Sequence, residues 1–169
     1  MPSENGNADV MLEVFGQPVA HIRELGIAVE ERLPRGVVMR LPYREELVGN
    51  PDSGVLHGGA VTTLIDSASG FAAMASLPKP GPVATLDLRI DYLRPAAAGE
   101  DLLVRADCYR LTKRIAFVRA EAYQHRPDDP VAAAMGTFMI TGQPSGQPNA
   151  QPNGKAAKPA ANEGEAGAS

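Results

Sequence analysis

The residues of this chain that could do chemistry sit in one stretch. It reads Gly54-Val55-Leu56-His57-Gly58-Gly59-Ala60, and Asp66 stands nine positions after His57. A histidine and two glycines open a mostly apolar segment with helical spacing, and one carboxylate stands among its aliphatic side chains. Glycines at a helix start let a ligand approach backbone N–H groups that point outward with partial positive charge. A carboxylate buried among aliphatic groups is costly unless it is paired, protonated or working, so Asp66 is expected to be buried and functional. Together these features predict a site that polarises a carbonyl oxygen and supplies a base or nucleophile to attack the carbonyl carbon.

Spacing adds a constraint. The eight residues from Gly58 to Asp66 rise about 12 Å along a helix, so one chain cannot easily place both beside one carbonyl. A two-fold dimer with antiparallel helices solves this, because Gly58 of one subunit then faces Asp66 of the other. The expectation is a homodimer or a dimer of dimers with sites at the subunit interface.

The elements that must position these residues follow from periodicity. Ala60, Val61, Leu64, Ile65, Ala68, Phe71, Ala72 and Ala75 recur at three and four, which predicts a helix from Gly58 to about Ser76. Small residues fill most of its remaining girth, so it is expected to be surrounded rather than laid on a surface. Leu77-Pro78-Lys79-Pro80-Gly81-Pro82 stops it. Before it, a short helix at 10–15, a further turn at 21–26, and a hairpin formed by 27–32 and 36–41 lead into a polar loop over 42–54. After it, residues 83–92 alternate as a strand, with Leu86, Leu88, Ile90 and Tyr92 expected on one face and Thr85, Asp87, Arg89 and Asp91 on the other. Segments 101–111, 115–123 and 131–141 complete an antiparallel set. The economical architecture is an α+β fold in which a curved antiparallel β-sheet wraps around one long central helix. Residues 1–9 read as a flexible N-terminus, 10–142 as the folded domain, and 143–169, rich in Pro, Gly, Ala, Gln and Asn, as a disordered tail.

Composition narrows the function. The chain has 169 residues, 44% of them hydrophobic and 21% charged, enough for one domain with a core. Aromatic residues make up 5% with no Trp, and the net charge is −4 with no dense basic run, which argues against nucleic acid as a partner. No apolar stretch is long enough to span a bilayer, and the N-terminus lacks the pattern of a signal peptide. The single cysteine, Cys108, lies in a strand pattern as a small buried filler, and a cytoplasmic location is expected. Three scattered histidines lack metal-ligand spacing, so no metal is expected; His21 and His125, near element ends, read as surface residues. Ser67 and Ser69 lack a partnering base and a nucleophile elbow, which excludes a serine hydrolase.

The order of elements, with His57-Gly58-Gly59 at the helix start, resembles the hotdog-fold acyl-CoA thioesterases of the phenylacetate-pathway type. The resemblance covers about residues 25–142. It rests on Asn50, the Gly54-Val55-Leu56-His57-Gly58-Gly59 run, Asp66 at its offset, and the strand Thr85-Leu86-Asp87-Leu88-Arg89-Ile90-Asp91-Tyr92-Leu93-Arg94-Pro95. It implies hydrolysis of a small or medium acyl-CoA, aromatic acyl groups included, to a carboxylic acid and free coenzyme A. The Gly58 N–H would hold the carbonyl oxygen, and Asp66 would act as general base or nucleophile. Thr85 would help place the water, and Asn50 and His57 would line the thioester. The loop Asn50-Pro51-Asp52-Ser53-Gly54 is one residue longer than in some relatives. Coenzyme A, part of the substrate rather than a cofactor, carries phosphates for which Arg94, Lys113 and Arg114 are the candidate partners. A hotdog hydratase or dehydratase, or a non-catalytic acyl-CoA-binding protein, is the alternative reading.

Overall fold

Strands β1 (Ala28–Leu33) and β2 (Gly36–Leu41) form the expected hairpin in a computed structural model that describes residues 19–79 and 81–141. The helix expected at 10–15, the N-terminus 1–9 expected to be flexible and the tail 143–169 expected to be disordered lie outside the described residues. The segment expected as a turn at 21–26 is a short helix, α1 (Ala20–Glu24), with Ile22 buried beneath it. The polar loop over 42–54 is more ordered than its composition suggests. It carries a 3-10 turn (Glu45–Leu47) and a two-stranded ribbon of β3 (Val48–Asn50) and β4 (Val55–Leu56).

Helix α2 (Gly58–Ala75) follows directly, then β5 (Val83–Tyr92), β6 (Leu102–Leu111), β7 (Ile115–Tyr123) and β8 (Ala132–Ile140). The six long strands make one antiparallel sheet in the order β1-β2-β6-β7-β8-β5. Chain order and sheet order therefore diverge at β5, which follows α2 but sits at the far edge beside β8. The sheet packs on α2 through Leu64, Ile65, Ala68, Phe71 and Ala72 of the helix and Val37, Met39, Leu41, Val104 and Val118 of the strands, all buried. Each such aliphatic or aromatic side chain contributes about 1.5–3 kcal/mol on burial. Cys108 is the buried filler its position suggests, with its Sγ 3.5 Å from the Arg110 carbonyl.

Two expectations about α2 and β5 change. The helix is not enclosed all round: Thr62, Thr63, Asp66, Ser67 and Gly70 are half-buried and form one open stripe along it. The reason is that a six-stranded sheet covers one side of a helix, and the small and polar residues collect on the other. In β5 the alternation breaks at a bulge, where the register to β8 shifts between Thr85 and Asp87. An extra residue flips the side-chain phase. Thr85 therefore faces α2 together with Leu88 and Ile90 instead of opposing them, and Leu86 is 53% exposed. Among the described residues no helix is long and apolar enough to cross a membrane.

Candidate active site

His57 is the N-cap residue of α2, in the extended conformation that a cap requires. Its Nδ1 accepts the Gly59 N–H at 2.9 Å, so a neutral ring carries its proton on Nε2. A β-carbon on residue 59 would lie 2.9 Å from that Nδ1, and one on residue 49 would lie 2.9 Å from the His57 Cα. Glycine at both positions is what lets the imidazole fold back onto its own helix and lets β3 pass so close. The His57 carbonyl takes the Ala60 and Val61 N–H groups. Among the described residues, the Gly58 N–H has no acceptor, and it is left pointing out of an exposed helix start.

The other side of the same glycine is pinned. The Gly58 carbonyl lies 2.9 Å from both the Tyr92 hydroxyl and Thr62 Oγ1, which are 2.8 Å from each other. Two hydroxyl protons serve three contacts, so one donates to the carbonyl while the other links the pair. Nothing in the sequence assigns Tyr92 and Thr62 to this carbonyl, because a strand-end tyrosine and a helical threonine carry no signal of a shared acceptor.

Asp66 projects from the open stripe two turns along. It is half-buried rather than buried, because the sheet lies behind α2 and the carboxylate sits on the side away from it. Thr85 Oγ1 donates to its Oδ1 at 2.9 Å. That contact depends on the β5 bulge that turns Thr85 toward the helix. Oδ2 accepts no hydrogen bond among the described residues, so the carboxylate has one oxygen oriented by the threonine and one available.

A groove of about 640 Å³ opens beside this pair. Asp66, Gly70 and Met74 of α2 form one wall, Thr85 and Leu88 of β5 another, and Phe138 lies at its back. His21 also lines it, so this exposed residue has a place beside the site that its position near an element end did not reveal. A second cavity of about 350 Å³ lies at the N-terminal end of α2, between Gly58, Val61 and residues 92–96.

The remaining candidates fall into three situations. Asn50 is exposed, and its Oδ1 accepts the Asp52 N–H at 3.0 Å, closing a local turn. That bond holds the ribbon loop; none of the contacts of Asn50 reaches Gly58 or Asp66. Arg94 lines the cavity beside Gly58 while its guanidinium holds Asp129, with an Nη2 contact of 3.2 Å to the carboxylate and one of 2.8 Å to the carbonyl. Lys113 and Arg114 are exposed at the β6–β7 turn, whose Arg114 carbonyl accepts the Ile140 N–H. Ile140 pairs with Val83, so this turn lies at the Thr85 end of the sheet and Arg94 at the Gly58 end. Within one chain the candidates thus form two separate half-sites. His125 pairs with Glu100 at 2.7 Å, away from both.

Comparison with known proteins identifies the family. Residues 53–130 match the family described as the thioesterase superfamily. A Halobacterium salinarum protein named as an esterase is 36% identical over 125 residues, covering 69% of this chain and 81% of the relative. The medium/long-chain acyl-CoA thioesterase YigI of Escherichia coli is 26% identical, covering 76% of this chain and 90% of that one. A point mutant of the phenylacetic acid degradation protein PaaI from Thermus thermophilus is 30% identical with a TM-score of 0.63, over 72% of this chain and 99% of its own. By sequence and by the hotdog fold it shares with them, this chain belongs to the thioesterase superfamily and is a thioester hydrolase.

Proposed function

We propose that the substrate is an acyl-CoA thioester, and that each active site is built from two copies of this chain. The observation that carries the reading is the way β5 links the two half-sites. Its Thr85 end holds Asp66 and its Tyr92 end holds Gly58. β5 is also a ten-residue strand at the sheet edge, and a long edge with unpaired backbone groups is a template for another strand. A second copy of β5 running antiparallel about the midpoint near Leu88 and Arg89 continues the sheet. Thr85 of one subunit then meets Tyr92 of the other, and Asp66 of one approaches Gly58 of the other. The same pairing brings Arg94 of one subunit to the end where Lys113 and Arg114 of the other lie, a basic flank for the phosphates of coenzyme A.

In this site the Gly58 N–H, at the positive end of α2, stabilises the oxyanion that forms as the thioester carbon becomes tetrahedral. The Asp66 carboxylate, steadied on Oδ1 by Thr85, either takes a proton from an attacking water or attacks the carbon itself; in the second case water then cleaves the mixed anhydride. Collapse breaks the C–S bond and releases a thiolate, whose low basicity relative to an alkoxide removes the need for a strong general acid. The products are a carboxylic acid and free coenzyme A. His57 keeps its proton on Nε2, so its remaining nitrogen is a donor when the ring is neutral. A hydratase that needs histidine as its base is therefore not favoured.

The test uses two inactive variants. Gly58→Pro removes the N–H at the first helical position, where proline is well tolerated, and His57 already has the extended backbone that precedes a proline. Asp66→Asn removes the base. Each alone should lose thiol release from acyl-CoA. Mixed and re-equilibrated at equal amounts, they should recover about a quarter of the wild-type rate, because half of the dimers are mixed and each mixed dimer holds one intact site. No recovery from two variants that exchange subunits would refute the shared site.

A further inference from the structure

The geometry points to Gly70 as the residue that fixes how far a straight acyl chain can run past Asp66; the inference rests on the thioester-hydrolase site above and extends it to substrate class. Gly70 stands one turn beyond Asp66 on the open stripe of α2 and lines the same groove. A glycine inside a helix costs about 1 kcal/mol relative to alanine, and α2 is otherwise rich in alanine here, so this glycine has a reason beyond the helix. Among the described residues, and apart from its chain neighbours and the backbone of its own helix, a β-carbon on residue 70 would meet one atom within 4 Å, Cε1 of Phe138 at 3.7 Å. Residue 70 therefore opens onto free groove and leaves room between α2 and the Phe138 ring.

Beyond it the groove is lined by the apolar side chains of Met74, Val83, Leu88 and Phe138. The eight residues from Asp66 to Met74 span about 12 Å along the helix. With C–C bonds of about 1.5 Å, that length takes an extended chain of roughly eight to ten carbons. A chain placed so keeps its carbonyl beside Asp66 and its methyl end against Met74 and Phe138. The substrate class is then straight-chain acyl thioesters of medium length. A side chain larger than alanine at residue 70 would stand across their path.

The experiment measures thiol release from straight-chain acyl-CoAs of four to sixteen carbons with wild type, Gly70→Ala, Gly70→Val and Met74→Ala. In parallel, calorimetry measures the affinity of the matching alkyl-CoA thioethers, which cannot be hydrolysed. Wild type should prefer eight to ten carbons. Gly70→Ala should keep that profile within about twofold. Gly70→Val should lower kcat/KM and thioether affinity for the ten-carbon chain by at least about tenfold while sparing the four-carbon chain. Met74→Ala should move the optimum to longer chains, and it supplies the reading if Gly70→Val does not fold. Equal losses at every length, or an unchanged profile in both Gly70→Val and Met74→Ala, overturn the assignment. Absence of turnover in wild type together with the same thioether shift would support the groove and refute the hydrolytic reading. Thioether affinity independent of length would refute the groove itself.

Discussion

Asp66 and Thr85 lie 19 positions apart in the chain and meet through one hydrogen bond. Asp66→Asn keeps the size and a hydrogen-bonding oxygen while removing the carboxylate proposed as base or nucleophile, so thiol release should fall by about 10²–10⁴-fold, with an unchanged circular dichroism spectrum. Thr85→Ala removes the donor that steadies the carboxylate. A hydrogen bond to a charged group is worth about 1.5–3 kcal/mol, so kcat should fall by roughly tenfold or more with little change in KM, and Thr85→Ser should restore much of it. Tyr92→Phe leaves the Gly58 carbonyl with Thr62 alone. It should cost about 1 kcal/mol in unfolding free energy by urea titration, and it should lower kcat more than it raises KM, since in the proposed site the substrate touches Gly58 rather than Tyr92.

At the scale of elements, α2 does two jobs with two faces. Its buried side is held by the sheet, and Leu64→Ala there should destabilise the fold by about 2–5 kcal/mol, read from denaturant midpoints. Its N-terminus is a polar device. Capping by a side chain satisfies the Gly59 N–H and leaves the Gly58 N–H open, as the proposed oxyanion role requires, a division of labour that neither glycine could arrange without His57. His57→Ala should therefore lose about 1 kcal/mol of stability from the lost cap and also lower kcat, because the first turn would no longer be fixed. Strand β5 shows how one extra residue redirects chemistry. Without the bulge at Leu86, Thr85 would point away from Asp66.

At the scale of the whole molecule, a single chain holds Gly58 at the start of α2 and Asp66 at its middle, and under the proposed two-chain site activity becomes a property of the assembly. Specific activity should fall on dilution in step with the loss of dimer, followed by sedimentation velocity and a thiol assay at matched concentrations. Activity independent of concentration in a preparation that sediments as a monomer would contradict the two-chain site.

The sequence alone determined the helix, its start at His57-Gly58-Gly59, and the long strands. These are local matters: apolar spacing of three and four, alternation by two, and glycine where a ligand or ring must come close. Tertiary structure decided what periodicity cannot encode. The exposure of Asp66 depends on which side of α2 the sheet covers, and the facing of Thr85 depends on a bulge whose register is set by β8. The meeting of Tyr92 with Gly58, 34 positions apart, depends on β5 taking the far edge of the sheet. Such contacts come from packing between elements distant in the chain, where the geometry belongs to the assembled sheet and to no single stretch of residues.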